Sequence, residues 1–262
     1  MFRYWLTVLI FFMIVFQSGA QGLEFNYKQI YLSPFASFGS PAIIRQNNYG
    51  YSTMAYQATP GFQTGVYFGR DRNVKRSFKT GVILSFWGQY YRDTFSGKKV
   101  EKTINNRYLQ IPLIYKYVLN RKIRDDYHIG LTYLQGGLMI GYLVGSSVQY
   151  FREANPGLMV EETVVDFVTN GGWNQNTEAI LSMGDPDHSR DLFSPFDINV
   201  EISYGYQKFI SRRTAIWVEV HGVLGLTDIN ASSWRLKNNY GAYFGSFNAY
   251  PGIKVGANIY LF

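Results

Sequence analysis

Residues 108–117 read YLQIPLIYKY, and the way they alternate decides the fold. Successive side chains on a β-strand point to opposite faces, so Leu109, Ile111, Leu113, Tyr115 and Tyr117 share one face while Gln110, Pro112 and Lys116 share the other. Two settings produce this pattern: a soluble strand with one wet face, and a strand with lipid on one side and a polar interior on the other. Pro112 lacks a ladder donor, which predicts a local bulge or a carbonyl satisfied by water.

The same period recurs along the chain. In DINVEISYGYQKFI (197–210), Ile198, Val200, Ile202, Tyr204 and Tyr206 oppose Asp197, Asn199, Glu201, Ser203 and Gln207. In the next run Ile216, Val218, Val220, Leu224 and Leu226 oppose Trp217, Glu219 and His221. Further strands are expected at 29–39, 62–69, 79–91, 129–148 and 253–262, with a phase slip near Tyr133 to Gln135, which makes eight in all. The connections after strands two, four and six are short and basic: RDRNVKR (70–76), NRKIRDD (120–126) and ISRR (210–213). Those after strands one, three, five and seven are longer, the longest running over 152–192. Short turns at one end and long loops at the other describe an up-and-down outer-membrane β-barrel with both chain ends in the periplasm.

Composition supports that choice over a soluble, lipocalin-like carrier. Aromatic residues make up 18% of the chain, and the apolar faces end in Phe62, Tyr90, Tyr115, Tyr117, Tyr204 and Tyr206, as interfacial girdles require. The first residues read as a secretory signal: Arg3, then the apolar run LTVLIFFMIVF, then small residues before Gln21. That run is shorter than the roughly 20 residues a membrane helix needs. With 0 Cys the chain carries neither a disulfide framework nor a lipidated cysteine. The expected organisation is a signal over residues 1–20 and one barrel domain over 21–262, with localisation in the outer membrane.

An eight-stranded interior is just filled by side chains, so Gln110, Lys116, Asp197, Glu201, Glu219 and His221 are expected to form a paired lumen network, Lys116 meeting Glu201 or Glu219. His221 with Glu219 and Glu201 also has the elements of an acid–base cluster, with Ser203 as the nearest hydroxyl by parity; a satisfied internal network is the preferred reading. His128 and His188 read as polar loop residues. Asp185, Asp187 and Asp191 in MGDPDHSRD lack calcium-loop spacing and read as turn chemistry, so no metal is assigned. Arg70, Arg72, Lys75, Arg76, Arg121, Lys122, Arg124, Arg212 and Arg213 gather on the expected periplasmic rim, where they suit lipid headgroups or an acidic partner. The long outer connection is acidic instead, with Glu153, Glu161, Glu162, Asp166, Asp185, Asp187 and Asp191.

PGFQTGVYFG (60–69), YLQIPLIYKY, VHGVLGLTDIN (220–230) and the aromatic-ended last strand, taken in order, resemble the PorT-like outer-membrane β-barrel family. The resemblance covers most of the mature chain, though this chain has Gln110 where the family carries an acidic residue. It implies a non-enzymatic barrel without cofactors, acting as a structural or accessory subunit of an outer-membrane assembly and linked to type IX protein secretion. The other readings are a lipid-modifying enzyme and a narrow solute pore. Expected partners are outer-membrane lipids and lipopolysaccharide, the outer-membrane insertion machinery and other subunits of a secretion or outer-membrane complex, not nucleic acid. Tyr260 and Phe262 stand at the aromatic positions of an insertion signal, but the apolar set of that strand occupies the other parity.

Overall fold

In the computed structural model, strand β6 (Lys98–Ile123) carries the 108–117 stretch and holds its alternation. Leu109, Ile111 and Leu113 are 43%, 53% and 56% exposed, whereas Gln110 and Lys116 are 0% and 6% exposed. The structure describes residues 29–45, 55–73, 75–95, 97–123, 129–162, 192–232, 235 and 243–261. The expected signal segment lies outside them.

The other strands are β1 (Ile30–Gly39), β2 (Ala42–Ile44), β3 (Ala55–Gln57), β4 (Gly61–Asn73), β5 (Arg76–Phe95), β7 (Ile129–Asn155), β8 (Leu158–Glu162), β9 (Phe196–Phe209), β10 (Thr214–Gly225) and β11 (Phe247–Tyr260). Eight of them pair in the order β1-β4-β5-β6-β7-β9-β10-β11, and β1 pairs with β11 to close the sheet. All the neighbours run antiparallel. Following cross-strand partners from Tyr31 leads through Gly69, Lys79, Ile114, Gly137, Glu201 and Val223 to Tyr250. Tyr31 itself pairs with Tyr260, so closure staggers the register by ten residues. That shear tilts the strands about 40° from the barrel axis.

Outward positions such as Phe68, Phe78, Val82, Leu138, Val218, Val220 and Ile253 are exposed and apolar on every side of the barrel. An apolar belt of this extent is far larger than a water-facing surface sustains, and it matches a hydrocarbon surround. The start of β1 and the end of β11 lie with the short turns, which is the periplasmic end for such barrels.

Three local expectations are corrected. The register between β5 and β6 does not shift at Pro112: Thr80–Leu113 and Ile83–Gln110 keep one register, and only the pairs between them lapse. The lost donor therefore interrupts the ladder toward β5 without a bulge, while Pro112 still pairs with Met139 on β7. The bulges between β6 and β7 sit at Leu119 and Val144, so β7 keeps its phase from Tyr133 to Leu143. The expected loop at 92–107 is strand: β5, β6 and β7 run on past the apolar belt, where outward residues turn polar at Arg92, Asn105 and Arg107, and β3 and β8 pair onto this projecting sheet. At 26 and 27 residues, β6 and β7 are far longer than the roughly 10 residues that span a membrane. Tyr260 faces inward (4% exposed) and stacks on Phe209, as its parity opposite the apolar set of that strand requires; Phe262 lies outside the described residues.

One packing device recurs inside the barrel. Tyr31 lies over Gly69 to reach Ser77 two strands away, Tyr133 lies over Gly205 to reach Glu219, and Trp217 lies over Gly256 to reach Ser33. In each case the glycine is the direct cross-strand neighbour of the ring, and a Cβ there would sit 2.1, 2.6 and 2.4 Å from ring carbons. Gly205→Val is expected to displace Tyr133 and destabilise the barrel by about 1–3 kcal/mol. Denaturant titration of refolded barrel in bilayers, read by the heat-modifiable gel shift, checks this; an unchanged midpoint contradicts it.

Candidate functional site

The inward faces of the strands deliver charged groups into a space roughly 8 Å in radius, which follows from eight strands at this shear. Two ion pairs organise it. Lys254 on β11 bonds Glu201 and donates to the Tyr67 hydroxyl at 2.8 Å. Lys79 on β5 reaches Glu219 at 3.4 Å across the lumen, with its ammonium 4.4 Å from the Tyr67 ring centroid. Glu219 also accepts from the Tyr133 hydroxyl at 2.8 Å and Gln135 Nε2 at 2.7 Å. Buried charges persist only when paired and hydrogen-bonded in this way.

The expected lumen residues Gln110, Lys116, Asp197, Glu201, Glu219 and His221 all face inward and are buried, but their partners differ from expectation. Lys116 reaches neither glutamate; it donates to Gln207 Oε1 and lies 3.9 Å from the Tyr133 ring centroid. The glutamates are held by Lys79 and Lys254, whose inward parity was present in the sequence, with Lys254 in step with Tyr260 and Lys79 in step with Ser77 and Ser85. Gln110 accepts from Ser85, and Asp197 accepts from Asn248 at 2.7 Å and Thr227 at 2.9 Å, near the outer end.

His221 meets a different hydroxyl from the expected one. Ser37 Oγ lies 2.8 Å from His221 Nε2, and Glu201 Oε1 lies 3.8 Å from Nδ1, whereas Ser203 is turned to Glu219. No spacing in the sequence signals the Ser37–His221 contact, because it spans 184 residues and arises only when β1 closes on β11. Ser37 and His221 are 0% and 3% exposed, so this hydroxyl–imidazole–carboxylate series is sealed inside the packed lumen.

A cap closes the outer mouth. Ile229 is buried there with Ile43, Leu192 and Phe193, and residues 192–194 and 229–231 exchange backbone hydrogen bonds. Asp228 fixes the cap by accepting from the backbone N–H groups of Asn230 and Ser246, the Tyr243 hydroxyl and Arg235. Burial, together with the bond to Asp228, pushes the Tyr243 phenol up to about 12. The TDIN segment singled out in the sequence is thus the cap itself, with Thr227 tied to β9 through Ile198 N–H at 2.9 Å.

The periplasmic mouth is different in kind. A cavity of about 40 Å³ opens there, and Asp71, Arg76, Lys116, Arg121, Gln207 and Tyr260 are among the residues that line it. The basic rim divides in two. Arg76 and Arg121 line this cavity, while Arg70 shares the outward face with its cross-strand neighbour Phe78. Arg72, Lys75, Lys122 and Arg213 are exposed and Arg212 is half-buried. Arg124, His128, His188, Asp166, Asp185, Asp187 and Asp191 lie outside the described residues. Among the described residues no group of three or more His, Cys, Asp or Glu side chains is placed to hold a metal.

The match to a family model agrees with this architecture. The profile of the outer membrane protein beta-barrel domain matches residues 20–231. Among solved structures, the chain is similar to Ail, the attachment invasion locus protein of Yersinia pestis, at 10% identity over 89% of this chain and 99% of that one, with a TM-score of 0.31. It is similar to the outer membrane protein OprG of Pseudomonas aeruginosa at 10% identity over 89% and 95% of the two chains, with a TM-score of 0.31. No curated protein sequence matches the chain.

Lys254→Met leaves the Glu201 carboxylate buried without its ammonium and is expected to lower stability by about 3–5 kcal/mol. Lys254→Met combined with Glu201→Leu is expected to recover most of that loss. Equilibrium unfolding of both variants is the check, and equal stability of the single and double variants contradicts the assigned pair.

Proposed function

The chain belongs to the outer membrane protein beta-barrel domain family, and on that premise we propose that it is a closed, non-enzymatic barrel serving as a structural or accessory subunit of an outer-membrane assembly. Its place is the outer membrane, as for that family. The observation that carries the reading is the filled lumen: Lys254–Glu201 and Lys79–Glu219 cross the space a solute would need, and Ile229 with Phe193 covers its outer end. With the interior committed to its own pairing, what remains to engage other molecules is the projecting β5–β6–β7 sheet, the periplasmic mouth and the lipid face. The finer assignment, a PorT-like role in type IX secretion, is supported by the order of the four sequence segments that carry the resemblance.

A lipid-modifying enzyme is the reading that the Ser37–His221–Glu201 series favours. Against it stand the burial of Ser37 and its inward direction, since an acyl substrate approaches from the outward face. His221→Ala is expected to leave the lipid A and phospholipid profiles of the native membrane unchanged. An altered acyl pattern by mass spectrometry contradicts the non-enzymatic assignment.

The direct test of the whole proposal joins two measurements. The purified barrel in a planar bilayer is expected to show no sustained conductance, and mild-detergent purification from native membranes is expected to bring defined outer-membrane or periplasmic subunits with it. Stable open channels, or a barrel that purifies alone, contradict the proposal.

A further inference from the structure

We infer that the outward face of the projecting β5–β6–β7 sheet binds a phosphorylated glycolipid of the outer leaflet, lipopolysaccharide, with Arg107 taking a phosphate and Asn105, Thr103, Ser147 and Gln149 taking the sugars above it. The inference rests on the outer-membrane placement of the barrel and is independent of the accessory-subunit reading.

The face is built of cross-strand rows that climb from the belt at the end opposite the short turns, each row about 5 Å above the last at this rise and tilt. Phe86, Arg107 and Gly145 form the first row, Gly88, Asn105 and Ser147 the second, Tyr90, Thr103 and Gln149 the third, and Arg92, Glu101 and Phe151 the fourth. Directly beneath, Leu109 pairs with Tyr142, and both are exposed on the apolar belt. Phe38, Phe62 and Phe86, with ring centroids 5.1 and 6.2 Å apart, are successive cross-strand partners, and the next partner in that line is Arg107. Outward along the barrel axis the side chains therefore pass from hydrocarbon to a cation and then to amides and hydroxyls. Acyl chain, phosphate and sugar follow one another in the same order in a phosphorylated glycolipid standing beside these strands.

Arg107 is exposed, and among the described residues it enters no ion pair. Glu101, the one carboxylate in the four rows, meets Arg92 at 3.5 Å. It stands roughly 20 Å along β6 from Arg107, beyond effective attraction at physiological salt. Of the other described cations at the rim of the outer mouth, Arg235 pairs with Asp228 at 2.9 Å and Arg45 lies over the Phe244 ring. The cross-strand neighbour of Arg107 is Gly145, where even a Cβ would stand 3.9 Å from the arginine Cδ, so the guanidinium lies beside bare backbone and is open to a bidentate anion. A phospholipid phosphate also suits Arg107, but such a lipid ends there, about 5–10 Å short of the second and third rows. Those rows carry no large apolar side chain besides Tyr90, whereas the centre of a protein interface is apolar and aromatic.

The test uses the mature protein in dodecyl maltoside micelles, titrated with rough lipopolysaccharide, with the same lipopolysaccharide dephosphorylated, and with phosphatidylglycerol. Native mass spectrometry reads the fraction of barrel that carries one lipid. The wild type is expected to bind intact lipopolysaccharide about tenfold or more tightly than either of the other two. Arg107→Glu is expected to raise that Kd about tenfold or more, while Arg213→Glu at the periplasmic end changes it less than about twofold. Asn105→Ala with Gln149→Ala is expected to raise it about threefold or more without changing the Kd for phosphatidylglycerol. The heat-modifiable gel shift confirms that the variants are folded. Absence of wild-type binding, an unchanged Kd in Arg107→Glu, or equal binding of the dephosphorylated form overturns the site. Phosphatidylglycerol bound as tightly as lipopolysaccharide also overturns it, leaving a phosphate contact open to any anionic lipid. A surface protein that co-purifies with the wild type and is lost with Arg107→Glu, at unchanged lipopolysaccharide affinity, overturns it in favour of a protein interface.

Discussion

A peptide group in hydrocarbon has no water to bond, and the β1–β11 closure answers that constraint for the whole chain. An open eight-stranded sheet would leave two rows of N–H and C=O groups facing lipid at a cost of several kcal/mol per group. Pairing Tyr31 with Tyr260, Phe35 with Gly256 and Phe38 with Ile253 removes both rows. The ten-residue stagger that accompanies closure fixes the tilt, and the tilt fixes which inward side chains share a height. Ser37 meets His221, and Trp217 meets Ser33, because of closure alone.

Inside that ring, aromatic side chains and charges are mutually dependent. Tyr133 reaches Glu219 because Gly205 leaves the wall bare between them, and Glu219 is in turn held by Lys79, whose ammonium rests against Tyr67. The Tyr67 hydroxyl accepts from Lys254, which holds Glu201. Removing one member leaves another buried and unpaired, so the lumen behaves as one cooperative network and not as a set of separate contacts. Below it, the mouth around Lys116 lies outside these glutamate pairs, which is why the two ends of the barrel differ in chemistry.

The period-two pattern made the barrel legible, because lipid on one face and a polar lumen on the other leave no freedom in side-chain parity. Inward placement of Gln110, Glu201, Glu219 and His221 followed from that parity alone. Pairing did not, because parity says which face a residue occupies and nothing about its height; hence Lys116 was matched to the glutamates that Lys79 and Lys254 hold. The residues at 92–107 read as loop because polar outward positions such as Asn105 and Arg107 mark departure from lipid, not the end of pairing, and β6 continues through them. Of the two outcomes expected at Pro112, a bulge or a water-satisfied carbonyl, the bulge is absent for a related reason: a strand held by partners on both sides keeps its register across one missing donor.

The central claim is that the apolar face of these strands meets acyl chains while the charged face is enclosed. With 0 native cysteines, single cysteines can be introduced one at a time through positions 108–117, nitroxide-labelled, and measured in bilayers against oxygen and a water-soluble nickel reagent. The account predicts high oxygen accessibility at 109, 111 and 113, low accessibility to both reagents at 110, 112 and 114, and a clean period of two. High nickel accessibility at 109, 111 and 113, or loss of the period, would contradict it.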